Sequence, residues 1–481
     1  MIAARGGATW LREQNSAYGP HWPPRRFETL KVLFFIERPV ASMNGFNDNT
    51  NACDLSFAER VRFYSHPYVR CLLYVDASGS ARNLFTKSLY SRLITSSHLL
   101  EDLLDFHGAK NNSNWYFYRE LSAAVRHLSL AGYSQKHILN RLVFYDIDRK
   151  EDFRKYGEIV ADFINSSLAS LAPVIIAEAR RLEAFEDAEP YPASEFPDVV
   201  TGEKLEYDID DEDKDQQQDN VVRVANEFLS IADEFDTYEF YEAYDREGLI
   251  ALVPEKVNEV SIRRFEMLVH NLQSSFDTYV IHGGFRFGNR RRKQFRSYFS
   301  IIFHLLQIMG RFLHFYERHL IEVGYKNIYK EVREKLSTLV PPDLLLDCTI
   351  NYGLHFVNHY FTTGRSVAEE ILRENVKKGV IRVPIPRDLG FHCRPSLLVA
   401  KVVQKYGGQV EMIVNGDRFD AGSVLDVQWA GGKIQKEKIE EVVFEGDVRA
   451  LRDLEILAGV NYGEDRMGKG ISLPKDIQYL R

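Results

Sequence analysis

Apolar residues recur three and four positions apart along most of the chain. Two stretches show this spacing clearly: SRLITSSHLLEDLLDFH, from Ser91, and NWYFYRELSAAVRHLSLAGY, from Asn114. The spacing places apolar side chains on one face of an α-helix, and the second helix is predicted to end at Gly132. The pattern continues to about Arg181, resumes at Val221 and extends to about Lys377. It therefore predicts a large, mostly α-helical region in two halves, residues 26–182 and 221–377.

The segments beside these halves have other patterns. Residues 1–25 are polar and contain Pro and Gly, which is typical of a flexible tail, while the apolar run LKVLFFIERPV, from Leu30, is compatible with a buried strand. Residues 183–220 combine prolines, an acidic run and glutamines with only two basic residues. Such a segment repels itself and buries little apolar surface, so we expect a disordered insertion or linker. It would act as a solubilising tether or, alternatively, as an acidic docking peptide.

The pattern changes again after Lys378. VIRVPIP, QVEMIV and IEEVVFE are predicted strands, and Asn415-Gly416 is a hairpin signal that begins a further short strand. Helical patterns lie between these strands and after them, so the predicted order is β-α-β-β-α-β-α. This order is typical of a small α+β domain with an open-faced β-sandwich, residues 378–462, followed by a C-terminal tail, residues 463–481. The whole chain is thus predicted to be a multi-domain protein.

Composition restricts the possible functions. Of 481 residues, 45% are hydrophobic and 27% are charged, which is typical of a folded protein with a substantial core. The net charge of −8 is concentrated in the acidic segment, and nothing suggests a general nucleic-acid surface. Four cysteines without paired spacing favour a reducing compartment. No signal peptide is recognisable, and polar residues interrupt the apolar segment from Tyr298, so we expect a cytoplasmic protein without a membrane partner.

The stretch LGFHCRPSLLVAKVV, from Leu389, places a histidine at the start of a predicted helix. Pro395 suits the first helical turn, and His392 therefore lies where unpaired backbone N–H groups and the helix dipole favour an anion. Arg394 adds a guanidinium suited to phosphate oxygens, and nearby positive charge favours a neutral imidazole that can attack phosphorus. The arrangement suits a residue that carries a phosphoryl group, although a histidine near a helix start is more often a cap or a surface residue.

These residues also resemble a known family. Leu389-Gly390-Phe391-His392-Cys393-Arg394-Pro395, together with the surrounding order of elements, is similar to HPr, the histidine-containing phosphocarrier of the bacterial phosphotransferase system. The resemblance covers about Lys378–Gly459 and leaves the helical region unassigned. It implies that His392 is phosphorylated on its δ nitrogen and that Arg394 stabilises the phosphoryl group. Gly390, Pro395 and Lys401 would support the site.

The resemblance further implies partners and a second site. An enzyme I-like phosphohistidine protein would supply the phosphoryl group, and an enzyme IIA-like protein or a regulatory target would accept it, with no cofactor or metal. Ser423, before the second helix, matches a position that a serine kinase can modify, but serine is also an ordinary N-cap. Phe391, Cys393 and the Trp429 region depart from the family pattern. Two alternatives remain open: a regulatory protein whose HPr-like domain only docks, or an enzyme in the helical region controlled by that domain.

Three other groups of residues could carry chemistry. The basic stretch GGFRFGNRRRKQFR, from Gly283, could bind phosphate or RNA, or could be the charged start of a buried helix or a partner for the acidic segment. His355 and His359 have the spacing of a metal pair, but their aromatic neighbours favour core packing. The third group could point ligands inward, although a solvated helix face is favoured; it comprises His98, Glu101, Asp102, Asp105 and His107.

Overall fold

A computed structural model describes residues 55–79, 84–198, 217–278, 290–321, 326–406 and 410–480, except for positions 239, 241, 376, 388 and 466. The predicted N-terminal tail, the predicted strand at residues 30–40, Cys53 and the first residues of the basic stretch from Gly283 lie outside the described residues.

The described part of the chain is mostly helical, with a small four-stranded antiparallel sheet near the C-terminus. The helical part agrees with the three-and-four spacing of apolar residues. Its helices are α1 (Phe57–Ser78), α2 (Lys87–Phe106), α3 (Tyr116–Arg141), α4 (Lys150–Arg181), α5 (Gln217–Phe235), α6 (Arg246–Leu252), α7 (Glu259–Phe276), α8 (Arg290–Phe315), α9 (Asn327–Leu339), α10 (Pro342–Asp347) and α11 (His355–Asn375).

Several of these helices begin at residues that can accept hydrogen bonds from free backbone amides. Ser56 caps α1 through a capping box: its Oγ accepts from the Glu59 amide, and the Glu59 carboxylate accepts from the Ser56 amide at 2.8 Å. Asn258 and Ser261 form a capping box at α7, and the Thr86 side chain caps α2 by accepting from the Leu89 amide. Residue type therefore determines where these helices start.

The long helix α3 lies at the centre of the helical region and contacts α2, α4 and α8. It continues to Arg141, so the predicted end at Gly132 is wrong. A Cβ atom at Gly132 would overlap the Tyr90 ring of α2. The glycine therefore permits the close packing of two helices, and the helix tolerates it because tertiary contacts outweigh the low helix propensity of glycine.

The start of the acidic segment is ordered, which corrects part of the predicted disordered insertion at residues 183–220. Phe185 and Phe196 are buried, and Arg70 of α1 donates from Nε to the Glu189 carbonyl at 2.8 Å. The two aromatic side chains add apolar surface that the acidic composition of the segment obscures. Residues 199–216 lie outside the described part, and α5 begins at Gln217, within the predicted linker.

Helix α4 is long and apolar enough to cross a membrane by length and composition alone. Its buried residues, including Phe153, Ile164 and Leu171, belong to the core of the helical region. Core helices of folded domains can have the same length and composition, so the finding is weak support for a membrane span.

The C-terminal region has the predicted order of strands and helices. Its elements are β1 (Lys378–Pro384), α12 (Cys393–Lys405), β2 (Val410–Val414), β3 (Asp417–Asp420), α13 (Val424–Glu437), β4 (Glu441–Asp447) and α14 (Val448–Gly459). Among the described residues, the buried apolar side chains of this region form their own cluster, separate from the cluster of the helical region.

The four strands are arranged in the order β1-β4-β2-β3, with every neighbouring pair antiparallel. Alternate residues such as Met412 and Phe444, paired across β2 and β4, are buried in a core shared with α12, α13 and α14. On the other face, Arg418 pairs with Glu411 and Glu445. This alternation is expected for an antiparallel sheet with one covered face.

The predicted C-terminal tail, residues 463–481, is packed as far as residue 480, contrary to the expectation of a separate tail. Leu473, Ile477 and Leu480 are buried in the core of the sheet region. The Tyr479 hydroxyl donates to Asp453 of α14 at 2.6 Å. The chain after α14 therefore completes this core, and it also supplies a residue of the site described below.

Candidate functional site

His392 occupies the N-cap position of α12, as the sequence predicts. Its carbonyl accepts the first helical hydrogen bond, from the Ser396 amide at 3.1 Å. Pro395 lies in the first turn, where its missing N–H leaves no donor unpaired. The imidazole makes no capping hydrogen bond, and its side chain is 33% exposed. The ring is therefore accessible at the end of the helix where backbone N–H groups and the helix dipole favour an anion.

The loop before His392 is held by close packing. Gly390 has a φ of 60°, a left-handed conformation that favours glycine. Phe391 is buried and packs edge-on against Tyr462, with ring centroids 5.0 Å apart. A Cβ atom at Gly431 of α13 would lie 2.9 Å from the Phe391 carbonyl oxygen, so this glycine lets α13 approach the loop. Phe391, a departure from the HPr pattern, thus anchors the segment that positions the histidine.

The nearest partner of the imidazole is Glu464. Its Oε2 lies 2.8 Å from His392 Nε2, and the Glu464 side chain is 4% exposed. A carboxylate accepts the hydrogen bond, so Nε2 carries the proton. In the neutral ring, this leaves the lone pair on Nδ1.

Glu464 also faces Arg394. The Glu464 Oε1 atom lies 3.5 Å from Arg394 Nε, and this buried oxygen has no hydrogen-bond partner. Gly470 lies against the Arg394 guanidinium, and a Cβ atom there would overlap it. The Arg394 side chain is 54% exposed, so it can turn towards a ligand. The sequence predicts positive charge near the ring, and the structure adds the buried Glu464 carboxylate.

Two further predicted site residues, Lys401 and Ser423, belong to α12 and to the start of α13. Lys401 is exposed on α12. Ser423 is the N-cap of α13, and its Oγ accepts from the Asp426 amide at 3.3 Å. The capping role of Ser423, one of the two alternatives left open, is thus present in the structure. Cys393 is exposed at the start of α12.

Three arginines in the described part of the basic stretch are paired with acids. Arg290 reaches Asp146 at 3.1 Å, Arg291 pairs with Glu370 and Glu374 of α11, and Arg296 makes a two-point contact with Asp277. These contacts agree with the alternative in which the stretch is the charged start of a buried helix. Its glycines, Phe285, Arg286 and Phe287 lie outside the described residues.

The pair His355 and His359, and the group from His98 to His107, do not form metal sites in the structure. His359 Nε2 lies 2.6 Å from Asp148 Oδ2, and this bond helps lower the pKa of Asp148 although burial acts in the opposite direction. His355 packs beside aromatic rings. In the third group Glu101 is buried, not solvated. Among the described residues, the group suited to hold a metal comprises His127, His314 and His319.

No family model, curated protein or solved structure matches the chain.

Proposed function

We propose that the C-terminal region is an HPr-like open-faced β-sandwich whose His392 accepts a phosphoryl group from an enzyme I-like phosphohistidine and passes it to an acceptor protein. The motif around His392, the order of strands and helices, and the covering of one sheet face by three helices support this proposal. It also implies a multi-domain protein of the bacterial cytoplasm. The free Cys71, Cys348 and Cys393 are compatible with that location.

The observation that carries the proposal is the hydrogen bond from His392 Nε2 to Glu464. It fixes the neutral tautomer with its lone pair on Nδ1, the nitrogen that the HPr resemblance implies as the nucleophile. A ring held in one tautomer and one orientation by a buried carboxylate is prepared for nucleophilic attack.

Transfer would then proceed as one in-line displacement. His392 Nδ1 forms a bond to phosphorus while the bond between phosphorus and the donor histidine nitrogen breaks, and the donor ring keeps the electron pair. Nε2 retains its proton, and the Glu464 carboxylate stabilises the charge that develops on the His392 ring. Backbone N–H groups of α12 and the Arg394 guanidinium stabilise the phosphoryl oxygens. Arg394 would turn from Glu464 to the new anion.

Labelling with phosphoenolpyruvate and purified enzyme I tests the proposal. The full chain should take up one acid-labile phosphoryl group, and His392→Ala should take up none. His98→Ala, at an exposed histidine of α2, is the control and should be labelled like the unchanged protein. Labelling of His392→Ala to the normal extent would refute the proposal.

A docking function without transfer is the second candidate. It is favoured by the internal pairing of His392 and Arg394 with Glu464, and by the exposed Leu425 and Trp429 one turn apart on α13. Saturable binding of enzyme I with no phosphoryl uptake by the unchanged protein would select this candidate over the first.

A further inference from the structure

Three histidine rings meet in the core of the helical region. His127 lies on α3, His314 lies near the end of α8, and His319 lies in the π-helical turn Tyr316–Ile321 that follows α8. One ligand nitrogen from each ring can be chosen so that all three lie within 4.8 Å of one another. Local π-helical turns are frequent at functional sites, and this one carries His319 close to His314.

Two of the rings are held by carboxylates. His314 Nδ1 lies 2.8 Å from Glu259 Oε1, and His319 Nδ1 lies 2.7 Å from Glu120 Oε2. Arg119 also approaches His319 Nδ1, but at the longer distance of 3.4 Å. In both neutral rings Nδ1 therefore carries the proton and Nε2 carries the lone pair. A histidine that binds a metal through one nitrogen typically donates its other N–H to a carboxylate in this way.

The third ring lacks the partners that a buried imidazole normally has. His127 is 1% exposed, and neither ring nitrogen has a hydrogen-bond partner. Leaving such a group unsatisfied costs about 1–3 kcal/mol. Burial, with the neighbouring His314 and His319, lowers the pKa of His127 well below its usual value. The ring thus stays neutral, which is the form that binds a metal.

Aromatic packing alone explains only part of this arrangement. His127 stacks on His314 with centroids 4.2 Å apart and an interplanar angle of 22°, so packing accounts for the ring faces. It does not account for two unpaired nitrogens in a ring that an apolar residue could replace. The same helices offer a contrast: His137 of α3 and His304 of α8 have centroids 4.4 Å apart, yet each has a polar partner for Nδ1.

We propose that His127, His314 and His319 bind one divalent transition-metal ion, with Zn²⁺ as the ion best suited to three neutral imidazoles. Tetrahedral Zn²⁺ with bonds of about 2.0–2.1 Å needs ligand nitrogens about 3.3 Å apart, so binding would turn the stacked His127 and His314 rings until their lone pairs converge. Glu120 and Glu259 lie beside the ligand rings and would offset part of the metal charge, which they would share with their present partners Arg119 and Arg263. Three protein ligands leave a fourth position for water or a small ligand.

Metal titration of the full chain tests this site. After treatment with a chelator, the protein should bind one equivalent of Co²⁺ with the visible absorption of a tetrahedral complex, and Zn²⁺ should displace it. His127→Gln and His319→Gln should each lower the Zn²⁺ affinity at least about tenfold, measured by competition with a chromophoric chelator. Glu259→Gln, which keeps all three histidines but removes the carboxylate that His314 shares with Arg263, should weaken binding less.

His137→Gln is the matched control because it alters the neighbouring histidine pair on the same two helices. Its metal content and affinity should equal those of the unchanged protein. If His127→Gln does not fold, His314→Gln replaces it, since that side chain is already 27% exposed. Absence of stoichiometric binding of Co²⁺ and Zn²⁺ by the unchanged chain would overturn the proposal, as would unaltered affinity in the ligand variants.

Discussion

The two histidine sites of this molecule differ in burial and in the way carboxylates support them. His392 is one-third exposed at a helix start and contacts one carboxylate, Glu464. In the helical region, His127 and His319 are buried, and two carboxylates hold the Nδ1 atoms of His314 and His319. An exposed ring suits a group that is passed between proteins, whereas a closed cluster suits a ligand that stays bound.

The difference also shows what each region needs in order to remain folded. At the His392 site the Glu464 carboxylate is deeply buried, whereas its partners His392 and Arg394 reach the surface. Around His319, by contrast, Arg119, Glu101 and Glu120 are all nearly inaccessible to solvent. Because an unpaired charge is costly in a protein interior, we expect the stability of the helical region to depend on the pairing of these three side chains. Four predictions test this contrast.

Removal of Arg119 should have the largest effect on stability. Its guanidinium contacts Glu101, Glu120 and Asp105 at 2.8–2.9 Å. Arg119→Met would leave the buried Glu120 with His319 as its partner and the buried Glu101 with Arg126, and we expect this loss of a shared cation to cost about 3–5 kcal/mol in the free energy of unfolding, measured with urea. The control is Arg154→Met, which removes an exposed pair with Glu151 and should cost less than about 0.5 kcal/mol. Equal losses in the two variants would contradict the contrast.

Two adjacent glycines of α13 should respond in opposite directions. Gly431→Ala would push a Cβ atom against the Phe391 carbonyl, so we expect a destabilisation of about 1–3 kcal/mol and slower phosphoryl transfer through His392. A Cβ atom at Gly432 meets nothing within 4 Å, and Gly432→Ala should stabilise α13 by about 0.5–1 kcal/mol. Urea unfolding measures both changes. Stabilisation by Gly431→Ala equal to that of Gly432→Ala would show that the loop before His392 can move freely.

Acidification should destabilise the helical region through His127. Burial lowers the pKa of His127 in the folded protein, whereas in the unfolded chain it titrates near its ordinary value of about 6.5. Below that pH the unfolded chain binds the additional proton, so stability is complete above pH 6.5 and falls as the pH decreases. For this single site the loss is about 1.4 kcal/mol per pH unit. Urea midpoints at pH 7.5 and 5.5 measure it, and His127→Gln should reduce the difference. An unchanged difference in that variant would exclude His127 as a cause.

Local sequence patterns predicted helices and strands better than they predicted contacts between residues that are far apart in the sequence. The three-and-four spacing gave the helical region, and alternation with the Asn415-Gly416 turn gave the C-terminal strands. These signals depend on neighbouring residues. The sequence around Gly132 predicts a helix end. The actual role of this glycine is to make room for Tyr90, which belongs to another helix, so residues near Gly132 in the sequence do not reveal it.

The site was predictable only where the motif is contiguous. His392 and Arg394 follow from the residues around them, but Glu464 is 72 positions from His392 and was assigned to a tail. The histidine cluster was missed for the same reason, since His319 and Glu120 are 199 positions apart. No spacing rule connects such residues, because the packing of whole helices brings them together.

The smallest predicted effect concerns the carboxylate beside His392. Glu464→Gln keeps the size of the side chain but removes the charge, and the new amide can donate to Nε2 and thereby move the proton of the neutral ring to Nδ1. We expect phosphoryl transfer from enzyme I to slow by about tenfold, a size typical for the loss of a residue that orients a histidine. Nitrogen NMR shifts of His392 should report the change of tautomer.

Glu455→Gln, at an exposed position of α14, is the control and should leave both the transfer rate and the NMR spectrum unchanged. A normal rate in Glu464→Gln would show that this carboxylate supports the packing of the C-terminal segment and contributes nothing to transfer. A slow rate together with an unaltered tautomer would assign its effect to charge stabilisation of the phosphorylated ring.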